Sequence, residues 1–455
     1  MKHLEPLNSF FAAAVFAAAL PALARADVHV VDPGQPGAFA TPQAAISAAV
    51  DGDTVLVKSG SYAGFTIDGK ALGVVVDDGH VATVSGTVVV RNLVPGQEVR
   101  IAGFQVMGDS SGIVSGNCFG SQELPGPGLL VENALAAVRF QDCSFQGAIG
   151  SSDCGGGLFT ELDDSYDGAR VLDSDNVAFV RCTLKGGEGR TMSPTAALFV
   201  AGSGGRGVFA QDSLIAFHDC TLLGGHGGDA THGGAGGTAY LVRGLGGLVS
   251  GCTLIGGDGG FGEDFLPTNP KPGGDAIRAE LGANPADGAQ VQHLDSLLQG
   301  GLGGSEFISN DTGPDGEPFA GPGLEVAFDG LADHLAAPRT VRENATLSLV
   351  IQGTPGRQAV LIRSRYARFR PFAPARGVQL VGQNPGAARV EARWLLLGAI
   401  PASGSLQVDF PVADMGPGFG AGLSRWQALT FDPASPLTTG AFGDFAEVTV
   451  LDDTY

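Results

Sequence analysis

A short phrase recurs along this chain at nearly even spacing. It reads Cys143-Ser-Phe-Gln-Gly, Cys182-Thr-Leu-Lys-Gly-Gly, Cys220-Thr-Leu-Leu-Gly-Gly and Cys252-Thr-Leu-Ile-Gly-Gly, successive cysteines lying 39, 38 and 32 positions apart. Asp295-Ser-Leu-Leu-Gln-Gly-Gly is a degenerate later copy, and Ala102-Gly-Phe-Gln-Val-Met-Gly an earlier one. A period of this length marks a solenoid, in which each repeat buries its apolar side only by stacking on its neighbours.

The residues before each phrase fill in the coil. Val138-Arg-Phe-Gln-Asp-Cys143, Val177-Ala-Phe-Val-Arg-Cys182 and Ile215-Ala-Phe-His-Asp-Cys220 place Val or Ile, Phe and Cys at equivalent positions. The spacing predicts a buried ladder of Phe140, Phe179 and Phe217 beside one of Cys143, Cys182, Cys220 and Cys252, mostly unbridged. Stacked strands hold equivalent Cβ atoms about 4.8 Å apart, too far for a bridge. A second strand per repeat is expected at Leu129–Glu132, Arg170–Asp173, Tyr240–Arg243 and Ile277–Glu280. Gly-rich stretches at 225–237, 256–274 and 300–323 read as loops.

Short apolar runs broken by Gly and Asp, with no long helical pattern, argue an all-β chain. The 73 glycines are about twice the usual share of roughly 7% and imply many tight turns. Thr41 is a candidate N-cap with Pro42 at the first helical position, so a short helix is expected there.

Residues 1–26 read as a secretory signal peptide: a short basic start, the apolar run Phe10–Leu20, and Ala24-Arg25-Ala26 as cleavage site. Eleven apolar residues are too few for a membrane span of about 20. No later segment is long and apolar enough to be expected to span a membrane. The expectation is a secreted or cell-surface protein. Residues 27–334 carry a net charge of −24 and residues 335–455 a net +2. A body this acidic repels nucleic acid and anionic membranes.

The stretch Phe39-Ala-Thr-Pro-Gln-Ala-Ala-Ile-Ser-Ala-Ala-Val-Asp-Gly-Asp-Thr-Val-Leu-Val-Lys-Ser-Gly-Ser-Tyr62 resembles the N-terminal cap and first coil of pectin lyase-like right-handed parallel β-helix proteins. It is also similar to the exported β-helix repeat proteins of planctomycete-like bacteria. The resemblance covers roughly 28–334 and implies a right-handed parallel β-helix with an N-terminal capping helix. It does not specify an activity. After residue 335 the repeats stop, and runs such as Leu347–Ile351, Gln358–Ile362, Val378–Val381, Arg393–Leu397, Leu406–Phe410 and Glu447–Leu451 suggest a small C-terminal β-sandwich. The expected domains are thus 1–26, 27–334 and 335–455.

Candidate chemistry is sparse. Pectate lyases, which the fold resembles, place calcium-binding carboxylates and an arginine base on an outer face, and Glu132, Asp173, Asp212 and Arg243 are the candidates here. A solvated charge ladder is the competing reading. Gly225-His226-Gly227 matches a short polygalacturonase motif. Its expected paired aspartates are represented only by Asp163-Asp164, and no Arg-x-Lys partner is found. Asp258, Glu263 and Asp264 are candidate metal ligands in an oxygen-rich loop, with calcium as the candidate ion and no other cofactor expected. Asp142, Arg181 and Asp219 read as an outward ladder of opposite charges. Arg363, Arg365, Arg368, Arg370 and Arg376 read as a solvated strand face or as a contact with the acidic solenoid. Cys118 and Cys154 fall outside the phrase, in loops leaving one corner of adjacent coils, and are expected to form a disulfide.

The expected role is an exported protein that binds or displays, with polysaccharide or a cell-envelope component as candidate partner. The alternatives are a polysaccharide lyase or glycoside hydrolase working along the coils, and a structural envelope component.

Overall fold

In the computed structural model the described residues are 26–108, 126–149, 159–161, 165–191, 198–262, 270–282, 289–307, 311–371, 376–382, 392–416, 419–435 and 439–455. The proposed signal peptide up to residue 25, Cys118 and Cys154 lie outside them.

The repeats wind into a parallel β-helix of three sheets with ten, eight and eight strands. Each coil contributes one strand to each sheet, where the sequence suggested two. In one coil the leading strand is Leu129–Glu132, the middle strand Ala137–Gln141 and the trailing strand Ser144–Gln146. The extra strand is the Cys phrase itself. Parallel strands joined by crossovers coil right-handedly, because the twisted chain packs back onto its sheet only that way.

The corner between middle and trailing strands explains why Val138, Phe140 and Cys143 all face inward. Asp142, Arg181, Asp219 and Asp295 adopt φ of 53°, 50°, 53° and 47°, and Gly251 takes 64° at the same place. One left-handed residue turns the chain and resets which parity faces the core. The expected ladders follow. Phe140 and Phe179 stack at 4.8 Å, Phe179 and Phe217 at 5.3 Å. Cys143, Cys182, Cys220 and Cys252 are buried and unbridged. Two thiols in the row accept from the coil before them: Cys182 N–H donates to Cys220 Sγ and Cys220 N–H to Cys252 Sγ. In the degenerate copy Ser296 Oγ takes over, accepting from Cys252 N–H at 3.2 Å. Burial pushes the Cys143, Cys182 and Cys220 thiols well up, so these groups are unreactive packing residues.

The helix Pro42–Ala48 plugs the first coil as expected. Thr41 Oγ1 accepts from Ala44 N–H, and Ala45 and Ile46 are buried.

The C-terminal strands form a three-stranded sheet (His334–Ala336, Thr346–Gln352, Ser405–Pro411) facing a five-stranded one. The larger sheet includes two eleven-residue strands, Ala421–Phe431 and Ala441–Leu451, the first of which the sequence reading missed. Leu347, Leu349 and Ile351 pack across to Leu361, Trp426 and Val448.

This sandwich sits on the outer face of the ten-stranded sheet. Ala178, Val180, Ala216 and Leu248 share a core with Val360, Ile362, Leu380, Phe442 and Phe445. Among the described residues, the ion pairs to the solenoid come from outside the 363–376 segment. Arg342 pairs with Asp77 at 2.8 Å, Arg339 with Asp78 at 3.1 Å, and Arg425 with Glu98. Arg363 instead lies over Trp426 within its own domain, and from the expected segment the Arg368 carbonyl accepts from Arg139.

Candidate functional site

The lyase-like row expected on the leading sheet is two rows. Strand register aligns Arg91, Glu132, Leu172, Gln211, Arg243 and Glu280. Asp173 and Asp212 lie one residue further on, at a corner, with φ of 48° and 46° beside Asn133 at 51°. Asp and Asn tolerate this left-handed conformation better than other side chains, which explains their presence without invoking a ligand. Glu132 and Arg243 are separated by Leu172 and Gln211 in the row. Each is engaged elsewhere: Glu132 lies 3.8 Å from Arg91, and Arg243 pairs with Glu280 at 2.6 Å. The four candidates therefore do not converge on one reacting atom, as an acid–base site requires.

The described parts of the Gly-rich stretches form regular legs where loops are expected. Four outgoing legs follow the trailing strands at 186–191, 224–229, 256–261 and 300–305, and returning legs run at 202–207, 233–238, 271–276 and 313–318. The outgoing legs follow a Gly-Gly-x triplet most fully in Gly-Gly-His-Gly-Gly-Asp and Gly-Gly-Asp-Gly-Gly-Phe. None of their glycines has positive φ. A three-residue period without internal hydrogen bonds is the polyproline II helix. Bonds between legs replace the internal ones. Gly187, Gly205, Gly225, Gly237, Gly257, Gly274, Gly301 and Gly316 N–H groups donate in a zigzag across the two layers, from the Tyr166 carbonyl to Gly301's, every bond 2.8 Å. Within the outgoing layer Gly189 donates to His226 O, Gly227 to Asp258 O and Gly259 to Leu302 O.

Glycine is required because the backbones approach so closely. A Cβ on Gly257 would lie 1.9 Å from the Gly225 carbonyl oxygen, and one on Gly224 1.8 Å from Gly237's. Gly257→Ala is therefore expected to part the legs and cost about 1–3 kcal/mol in urea unfolding, in the range for overpacking. An unchanged midpoint would contradict the slab.

Every third residue points outward, forming two ladders: Glu188, His226, Asp258, Leu302 and Thr191, Asp229, Phe261, Ser305. Side chains tie successive rungs. His226 N–H donates to Glu188 Oε2 at 2.7 Å, Asp258 N–H to His226 Nδ1 at 3.0 Å, and Leu302 N–H to Asp258 Oδ1 at 2.7 Å. Phe261 N–H donates to Asp229 Oδ1 at 2.7 Å. So His226 of the polygalacturonase-like triplet and the candidate ligand Asp258 are both rungs of one ladder. Glu263, Asp264, Asp163 and Asp164 lie outside the described residues. Near one end the rings of Phe261 and Phe307 meet edge to face at 6.4 Å, and Phe307 is 73% exposed.

The corner charges lead to a second site. Arg181 pairs with Asp142 at 2.7 Å as the ladder reading expected, and donates onward to the Leu335 carbonyl at 2.9 Å. A cleft of about 390 Å³ opens alongside, lined by His80, Gln105, Asp142, Arg181, Thr183 and Arg339. Asp219, next in the row, meets His334 Nδ1, and Asp444 Oδ2 lies 3.8 Å from the same nitrogen. Donor atoms of these three lie within 4.8 Å of one another. Asp444 is wholly buried, and so is His218, whose Nδ1 is 3.7 Å from Asp444 Oδ1. Hydrogen bonds that the His334 imidazole donates to the Asp219 and Asp444 carboxylates hold it up at about 10, while burial holds His218 down at about 4 and pushes Asp444 well up. No sequence pattern joins these residues, since they come from one coil corner and from the first and last strands of the sandwich.

No family model matches the chain, and no curated protein matches it. Among solved structures it is similar to the pectate lyase Pel9A (11% identity, 64% of this chain and 79% of that one, TM-score 0.27). It is also similar to the superoxide reductase (neelaredoxin) from Ignicoccus hospitalis (13% identity, 27% and 81%, TM-score 0.15). A third is the human F-spondin reeler domain (11% identity, 26% and 88%, TM-score 0.15). At these scores the likenesses carry no argument about function. No helix among the described residues is long and apolar enough to cross a membrane.

Proposed function

We propose that this is an exported binding or display protein that offers the outer face of its glycine slab to a polysaccharide. The observation that carries the reading is the pair of side-chain ladders on that face. The slab is hydrogen-bonded in two directions, so its rungs are held at coil spacing with little further entropy to lose on binding. A polymer with a regularly repeated polar unit matches such a surface, and Phe261 and Phe307 supply an apolar platform of the kind on which sugar C–H faces rest. Glu188, Asp229 and Asp258 make the face acidic, which favours a neutral or cationic glycan over a polyuronate.

The test is a glycan array probed with the full chain and with the double variant His226→Ala/Phe307→Ala, whose side chains are both exposed, with circular dichroism checking that the variant keeps its fold. Retention of neutral or cationic glycans, weakened more than about tenfold in the variant, is the expected result. Three outcomes would overturn it: no glycan retained, equal retention by the variant, or release of cleaved products, which would establish the lyase or hydrolase reading instead.

A further inference from the structure

We propose that Asp219, His334 and Asp444, with His218 behind them, form a site for one divalent transition-metal ion that clasps the C-terminal sandwich to the solenoid. The clustered donors are one imidazole and two carboxylates, with the His218 imidazole 3.7 Å behind Asp444, a nitrogen-containing set that suits zinc and its first-row neighbours rather than calcium or magnesium.

Three independent observations converge on the site. The first is proximity: ligand atoms of Asp219, His334 and Asp444 gather within 4.8 Å. The second is an orphan. His218 is 0% exposed, and neither of its ring nitrogens makes a hydrogen bond, although Nδ1 faces Asp444 at 3.7 Å. A buried imidazole without a partner costs free energy, and a bound ion is one of the few things that removes that cost. The third is a made space. The corner row Asp142, Arg181, Asp219 is interrupted by Gly251, where a Cβ would stand 2.6 Å from Asp219 Oδ1 and 3.2 Å from His334 Cε1. A side chain at that one rung would fill the place where Asp219 and His334 meet.

The surroundings fit a built site with an entrance. Leu335 N–H donates to Asp444 Oδ2 at 3.4 Å, orienting that carboxylate. Ala332 N–H donates to Asp295 Oδ2 at 2.9 Å, pinning the approach to His334 against the next coil. The His334 side chain is 38% exposed and gives solvent access, whereas Asp444 is sealed behind it. The other such cluster among the described residues, Glu343 with Asp452 and Asp453, offers no imidazole and no orphaned side chain and supports no such reading.

The experiment uses the full chain, stripped with a chelator and titrated with zinc alone by calorimetry, then with cobalt(II) alone by absorption. One ion per chain, cobalt bands typical of mixed nitrogen and oxygen ligation, and a higher melting temperature with zinc are expected. His334→Ala and Asp219→Asn, both at partly exposed positions, should weaken binding by more than about tenfold. Asp452→Asn should leave it unchanged. Absence of stoichiometric binding, binding indifferent to His334→Ala and Asp219→Asn, or binding lost only in Asp452→Asn would each overturn the site.

Discussion

Glu447→Ala is expected to destabilise the protein by about 3–5 kcal/mol, the usual loss when one partner of a buried ion pair is removed. Glu447 is fully buried where the sandwich meets the solenoid. Its Oε1 accepts from Arg425 Nε at 2.7 Å, and its Oε2 lies 3.5 Å from Arg100 Nε. Arg100 and Arg425 expose 2% and 4% of their side chains. Truncating Glu447 removes the carboxylate that both guanidiniums share, leaving Glu98 beside Arg425 and the more distant Asp78 and Asp142 to balance Arg100. Glu447→Gln keeps the shape and loses the charge, so its loss should fall between wild type and Ala. Urea unfolding measures both, and proteolysis near Pro338 should speed up in the Ala variant. Because these charges are buried, added salt screens them little. The docking is thus expected to be nearly salt-independent, unlike a contact made through exposed arginines such as Arg363, Arg365 and Arg370. A Glu447→Ala midpoint within about 0.5 kcal/mol of wild type would show that the network does not hold the domains.

The second large effect belongs to the solenoid core. Phe179→Ala should cost about 3–5 kcal/mol, the range for emptying a buried aromatic site. Phe179 is fully buried, with Phe140 stacked on one side at 4.8 Å and 15° and Phe217 on the other at 5.3 Å and 14°. Its removal deletes two ring contacts as well as apolar area. In a solenoid each coil is stabilised by its neighbours, so a void in this central coil should also uncouple the coils on either side. Urea unfolding followed by fluorescence and by circular dichroism should then separate into non-coincident transitions. A single sharp transition displaced by less than about 1 kcal/mol would contradict this account.

Several features were legible in the chain because they are local or strictly periodic. Thr41 and Pro42 signal the capping helix through backbone chemistry within one turn. The Val/Ile–Phe–Cys spacing repeats with the coil, and stacking turns any repeated apolar residue into a ladder. The Gly-Gly-x triplet in 224–229 and 256–261 is visible too, but its glycine content by itself reads as loop composition. Its three-residue period is the signal that would have found the slab. Register was harder: Asp173 and Asp212 differ from Glu132 by one position, which in a strand moves a side chain to another face, and only the parallel pairing decides it.

What the sequence determined by itself is the solenoid, because the inward-facing pattern of each coil packs against copies of itself in the neighbouring coils. What the tertiary structure decided is where the sandwich sits and what that brings together. Val177-Ala-Phe-Val180 and Ile215-Ala-Phe-His218 are buried on both faces, inward by their own coils and outward by strands more than a hundred residues away. The burial of His218, and the meeting of Asp219 with His334 and Asp444, depend on that docking. A side chain's environment is set by whatever covers it, and for residues this far apart in the chain no local pattern encodes the cover.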